Sequence, residues 1–327
     1  MWINNRLLPA LGNVILILMK KLLFAVFIAV IFLLTSSSSV NAATYYVAGD
    51  VGSDSYTAAQ ATVSATPWKT IQKAADTMVA GDTVNVKGGI TYTGLNDCNG
   101  YSTTVCPKYS GSSGNYITYQ AWAGTGLPKI DGSNTRRGFV IAVSYIRIIG
   151  FYFTNCTVAI QSGDYDVGYV GIYNNISRGN GVNFGFIIAD SITHDFVVKN
   201  NIVLNSRKGI SANNSGTGYT ANYNLVWNNL FNYSGGVSAG DHDINSDPLF
   251  VDVANGDFHL QKGSPAIDAG TTLSEVATDI LGVARPQGSA FDIGAYEYYD
   301  IPVTLTSVPA SSSNISSPSI AGTSSTI

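Results

Sequence analysis

Short apolar stretches broken by Gly or Asn recur along the middle of the chain at a nearly constant interval. The run Ile172, Tyr173, Asn174, Asn175, Ile176 returns as Val198, Lys199, Asn200, Asn201, Ile202, and again as Ala221, Asn222, Tyr223, Asn224, Leu225. A related run, Ile148 to Phe153, stands one such interval ahead of the first. A unit this short, with two or three brief strands and no helix-length pattern, cannot bury its inward face alone, so neighbouring copies must stack. The pattern predicts an all-β solenoid, a single-stranded right-handed parallel β-helix. Asn155, Asn205 and Asn228 share one offset within the coils, where Asn tolerates left-handed backbone angles and can bond to its equivalent in the next coil.

Ahead of the repeats the period changes. Ile71, Ala74, Ala75 and Met78 fall at i, i+3, i+4 and i+7 after Thr66 and Pro67, which predicts one amphipathic helix stopped by Gly81 and Asp82. Placed before a strand at Thr83 to Val86, it would cap the open apolar end of the stack.

The two ends of the chain read differently. Lys20 and Lys21, the apolar run Leu22 to Leu34 and the small exit Val40, Asn41, Ala42 match a signal peptide over 19–42, with 1–18 as an upstream extension. An uncleaved anchor is the other reading, although the run is short beside the roughly 20 residues of a span. Residues 43–300 form the β-helix in this reading, and 301–327, uncharged and rich in Ser, Thr, Pro and Ala, form a flexible tail. Removing the leader leaves 14 basic and 21 acidic residues, net −7, without the clustered cations that nucleic acid needs. In an oxidising compartment Cys98 and Cys106 are placed to pair across one loop, leaving Cys156 as a buried thiol.

Two stretches resemble known families. Tyr45, Tyr46, Val47, the Gly52, Ser53, Asp54 turn, Pro67 to Gln72, Ala80 to Val84 and Lys129 to Gly132 resemble the N-terminal part of pectate-lyase-like β-helix proteins. Asp247 to Asp252, Asp257 to Leu260, Gly263 to Gly270 and Asp292 to Glu297 look like the choice-of-anchor Q module of bacterial surface proteins, over about 245–299. The resemblances imply export to the medium or cell surface and, among relatives, both polysaccharide lyases and proteins without assigned activity.

Elimination on a uronic acid needs a base near sugar C5 and a cation that neutralises the carboxylate. The candidate catalytic residues are Lys208, Arg207, Lys199 and Arg178, with Lys199 facing outward and Arg207 beside Lys208 to favour a neutral amine. A solvated turn pair is the plainer reading of Arg207 and Lys208. Calcium is the candidate cofactor, and Asp164, Asp166 and Asp190 are its candidate ligands, against simple turn duty. Trp122, Tyr152, Tyr173 and Trp227, with Tyr119, could form a platform for sugar rings or stack internally. The adjacent aspartates of calcium-dependent pectate lyases and the aspartate trio with Gly-His-Gly of polygalacturonases are missing, and the three histidines, His194, His242 and His259, show no zinc spacing. The expectation is a secreted, monomeric β-helix that binds acidic polysaccharide, with cleavage by β-elimination open. The alternative is a non-catalytic structural or adhesive module.

Overall fold

The computed structural model describes residues 18–22, 42–162, 166–189, 194–212 and 218–300. Within them the repeats stack into a right-handed parallel β-helix of three sheets. Sheet A holds Thr44–Val47, Thr83–Val86, Ile117–Ala121, Ile146–Ile149, Gly168–Tyr173, His194–Lys199 and Tyr219–Asn222. Sheet B holds Thr91–Tyr92, Lys129–Asp131, Tyr152–Thr154, Ile176–Arg178, Ile202–Leu204 and Leu225–Trp227. Sheet C runs from Asn96–Cys98 and Tyr101–Val105 through Arg137–Ile141, Val158–Ser162, Phe184–Ala189 and Lys208–Ala212 to Phe231–Ser234. The repeats read from the sequence are the register itself: Ile148, Ile172, Val198 and Ala221 lie side by side in sheet A, and Tyr152, Ile176, Ile202 and Leu225 in sheet B.

Each corner is turned by a column of left-handed residues. Between A and B these are Gly150, Asn174, Asn200 and Tyr223; between B and C, Asn155, Asn205 and Asn228; between C and A, Tyr145, Tyr169, Asp195 and Gly218. The Asn228 amide donates to Asn205 Oδ1 at 2.8 Å, the rung-to-rung bond expected of these asparagines. A second ladder, whose asparagines are fully buried, runs beside the A–B corner. Asn175 accepts from the Phe151 amide, Asn201 from the Asn175 amide, Asn224 from the Asn201 amide, and Asp243 ends the series under Asn224. Left-handed tyrosines are costly, about 1–2 kcal/mol for an L-residue, and each stacks on a ring one rung away. Tyr169 lies on Tyr145 with centroids 4.4 Å apart, and Tyr223 on His242 at 4.3 Å.

The capping helix is present but shorter than its pattern suggested, at Ile71–Ala75. Thr70, not Thr66, is its N-cap, accepting from the Lys73 amide. Asp54 explains the shift, because its carboxylate binds the Lys69 and Thr70 amides and the Thr70 hydroxyl, holding 67–70 extended. Ile71, Ala74, Ala75 and Met78 enter the core as expected. The Cys98–Cys106 disulfide closes an antiparallel hairpin, and Cys156 is free and buried. Among the described residues no helix is long and apolar enough to cross a membrane. Most of the leader and the whole of 301–327 lie outside the described residues.

Residues 247–299 are not further coils. They fold back over the outside of the solenoid, because sheet B is apolar on both faces: Phe153, Val203 and Val226 point inward, while Ile176, Ile202, Leu204 and Leu225 point outward. Phe250, Phe258, Leu260, Ala266 and Ile293 cover that outer stripe, and burying each large apolar side chain contributes about 1.5–3 kcal/mol. The Asp292 to Glu297 motif forms the clasp. Arg285 and Glu297 make a fully buried ion pair, Arg285 also donates to the carbonyls of Asp292 and Gly294, and Asp279 accepts from the Glu297 amide. Burial pushes the Asp292 and Glu297 carboxyls up and the Arg285 guanidinium down, and the dense hydrogen bonding offsets part of that cost.

Candidate functional site

The fold-back segment decides which surfaces remain free. It covers Tyr152, which packs on Phe258, and Tyr173, which joins Ile149, Leu273, Val276 and Phe291 in a separate cluster. Tyr119 points into the core, Trp122 packs on Tyr46, and half-buried Trp227 borders the covered stripe. Tyr152 and Tyr173 are therefore under protein, and the proposed aromatic residues form no common platform.

The candidate cations divide likewise. Lys199 faces outward from the end of a sheet A strand, in register with Tyr173 and Asn222. Arg178, Arg207 and Lys208 instead gather at the corner between sheets B and C. Arg178 ends a sheet B strand in the coil below, and Lys208 begins a sheet C strand paired through Phe184. The Lys208 ammonium sits over the Phe184 ring, 5.6 Å from its centroid, and Arg207 is exposed.

Register brings in two further cations. Arg136 and Arg137 occupy the same corner three rungs below Arg207 and Lys208, about 14 Å at a rung spacing near 4.8 Å. Arg136 donates to Ser133, and Arg137 lies over the Tyr101 ring and donates to Gln161. Along the segments 131–137, 154–158, 178–184, 204–208 and 227–231 the corner thus carries five cations and one acid. That acid, Asp131, is occupied by the Ser133 amide, Asn155 and Lys129. Asn134, Asn155, Asn180, Asn205 and Asn228 line the same edge, with Asn180 donating to Asn134, and Val182, Leu230 and Phe231 are exposed beside them. The separation of Arg136 from Arg207, close to three coil periods, is the sequence signal that links the two pairs.

No family model and no curated protein matches this chain. Solved structures do. A rhamnogalacturonan lyase is 16% identical with a TM-score of 0.41, over 64% of this chain and 64% of that one. A pectate lyase is 14% identical with a TM-score of 0.36, over 79% of this chain and 98% of that one. The chain thus spans about 64% of the length of the rhamnogalacturonan lyase it matches. The parallel β-helix expected from the repeats and from residues 45 to 150 is the fold observed.

The acidic candidates are less informative. Asp164 and Asp190 lie outside the described residues. Asp166 is exposed and lies 3.5 Å from His194 Nε2, whose Nδ1 contacts Asp195 at 2.8 Å. Among the described residues no group of three His, Cys, Asp or Glu side chains is arranged to hold a metal ion. Above the C–A corner the rings of Tyr116, Tyr145, Tyr169 and His194 form a continuous column, which the sequence reading missed because tyrosine is rare at positive φ. Tyr145 and Tyr169 stack face to face, while Tyr116 and His194 meet them edge-on, and partial burial together with Tyr169 raises the Tyr145 phenol above its ordinary value. This column therefore serves the stack more than a ligand.

Proposed function

We propose that this protein is exported and binds an acidic polysaccharide along the corner between sheets B and C. One observation carries the reading: five cations and almost no acid on one edge of a chain whose mature part is net negative. The rungs repeat at about 4.8 Å, close to the length of one sugar residue, so a chain lying along the axis meets an equivalent corner at each residue. Arginine and lysine would take the carboxylates, the asparagine amides would exchange hydrogen bonds with hydroxyls, and Phe231 would offer an apolar face. Cleavage by elimination is the sharper form of this reading. Lys208 would remove the C5 proton, Arg207 or calcium would neutralise the neighbouring carboxylate, and a C4=C5 double bond would form as the glycosidic oxygen leaves.

Purified residues 43–300 would be titrated with pectate, alginate and chondroitin, with calcium or chelator, following both binding and the ultraviolet absorbance of an unsaturated product. Binding that weakens with salt and falls at least tenfold in Arg207→Ser/Lys208→Ser supports the corner. Added absorbance makes it a lyase, a flat trace with binding makes it an adhesive module, and no binding to any of the three overturns the reading.

A further inference from the structure

The fold-back segment leaves a cleft of about 190 Å³ between itself and the A–B corner, lined among others by Gln120, Asn174, Glu275, Thr278, Asp279 and Arg285. It lies across sheet B from the basic corner. Two of its buried polar groups are unfinished. Asn174 is 1% exposed and uses its amide nitrogen on the Gly294 carbonyl, while its Oδ1 has no partner. Arg285 is 8% exposed and commits its terminal nitrogens to Glu297, Asp292 and Gly294, while its Nε has none. A buried donor or acceptor left unpaired costs about 1–3 kcal/mol, so this pair marks a place where an external group belongs.

The remaining lining defines that group. Asp279 accepts from the Leu281, Val283 and Glu297 amides, and Glu275 is held by Arg147 and Ser274. The Gln120 amide is used on Asn85, leaving its carbonyl oxygen to accept. The charges present are thus already matched, and the groups left to pair are the Asn174 and Gln120 oxygens, the Arg285 Nε–H and the exposed Thr278 hydroxyl. A carboxylate would add an uncompensated charge next to Glu275 and Asp279. A hydroxyl can donate to Asn174 and accept from Arg285, and several hydroxyls on one small ring would serve Gln120 as well. The volume suits one such ring, since a water occupies about 30 Å³ in the liquid.

We infer that the cleft is a binding site for a single neutral sugar residue, seated between the solenoid and its C-terminal clasp. This inference is independent of the acidic chain assigned to the opposite corner. Residues 43–300 would be tested by saturation-transfer NMR with glucose, galactose, mannose and rhamnose, and with galacturonate as the charged comparison. Ala123→Phe and Ala277→Phe fill the mouth from exposed positions; the Ala277 carbonyl accepts from the Arg285 amide, a backbone bond the substitution leaves in place, and the melting temperatures of both variants report that the fold is kept. The expected result is saturable transfer to at least one neutral sugar at millimolar concentration, at least tenfold weaker transfer in both variants, and little for galacturonate. No transfer to any neutral sugar, transfer unchanged in the filled variants, or a ligand-soaked crystal holding only water in the cleft would overturn the inference.

Discussion

The buried asparagine ladder permits a quantitative test, with Asn201→Ala as the perturbation. Asn201 is fully buried; its Oδ1 accepts from the Asn175 amide at 2.9 Å and the Asn175 side chain at 3.1 Å. Its side-chain nitrogen donates to the Ile172 and Lys199 carbonyls, both at 2.8 Å, and to Asn224 Oδ1 at 3.0 Å. Truncation removes the side-chain partners of the Asn175 N–H and the Ile172 carbonyl inside a packed corner. At about 1–3 kcal/mol for each stranded group, the loss comes to about 2–6 kcal/mol. For a chain of this size 1 kcal/mol shifts the melting temperature by about 2–4 °C, so a mid-range loss of about 4 kcal/mol lowers it by about 8–16 °C. Thermal unfolding followed by far-ultraviolet circular dichroism reads this directly. Asn180→Ala, on the exposed B–C edge, is the control and should move the midpoint by no more than a few degrees. An Asn201→Ala midpoint within that same small range would refute the idea that the ladder holds the coils in register.

Arg285→Met strands Glu297 in the clasp and should cost about 3–5 kcal/mol in denaturant unfolding; an unchanged midpoint would mean that the pair is solvated. Ending the chain after Ile244 uncovers Ile176, Ile202, Leu204 and Leu225 and should give aggregated protein by size-exclusion chromatography, whereas a soluble monomer would contradict the covering role. Burial pushes the Cys156 thiol up to about 12, so Ellman's reagent at pH 8 should find no reactive thiol in the native protein and one per chain in guanidinium; rapid native labelling would show that the site opens. Tyr173→Ala should destabilise by about 3–5 kcal/mol, as for other buried aromatics, yet leave polysaccharide affinity unchanged where the variant is folded; weakened binding would return Tyr173 to the binding surface.

The solenoid was legible because its cause is periodic. Apolar residues returning at a near-constant interval dictate stacking, and the Asn and Gly between them mark where the backbone turns left-handed. The same reading misplaced the helix start, since the carboxylate that holds the backbone extended belongs to Asp54, well ahead of the Thr70 N-cap in sequence and outside any helical period. It also offered Tyr152 and Tyr173 as a sugar platform. Their burial depends on Phe258 and Leu273, contributed by an aperiodic segment far along the chain whose path no local pattern encodes. One sign of that cover was present: Ile202, Val203, Leu204 and then Leu225, Val226 are apolar without alternation, the mark of a strand buried on both faces. Arg207 and Lys208 were visible as a pair, but only the strand register joins them with Arg136 and Arg137 in one edge.

That register links fold to site. A parallel solenoid places equivalent residues of successive coils in lines along its axis, so any line can serve a linear polymer. Here two lines are excluded for stated reasons. The A–B side is roofed by 247–299, whose removal would expose an apolar stripe, and the C–A corner carries a ring column in which left-handed Tyr145 and Tyr169 stack on each other. The B–C corner has neither duty. Its left-handed positions are met by Asn155, Asn205 and Asn228, whose short side chains satisfy the turn and still leave amide groups at the surface. With structural needs met by asparagine, the adjacent positions are free to carry Arg136, Arg137, Arg178, Arg207 and Lys208. Cations concentrated on an edge that the fold leaves open, in a protein whose remaining charges are mainly acidic, are the reason the proposed partner is one that brings the opposite charge.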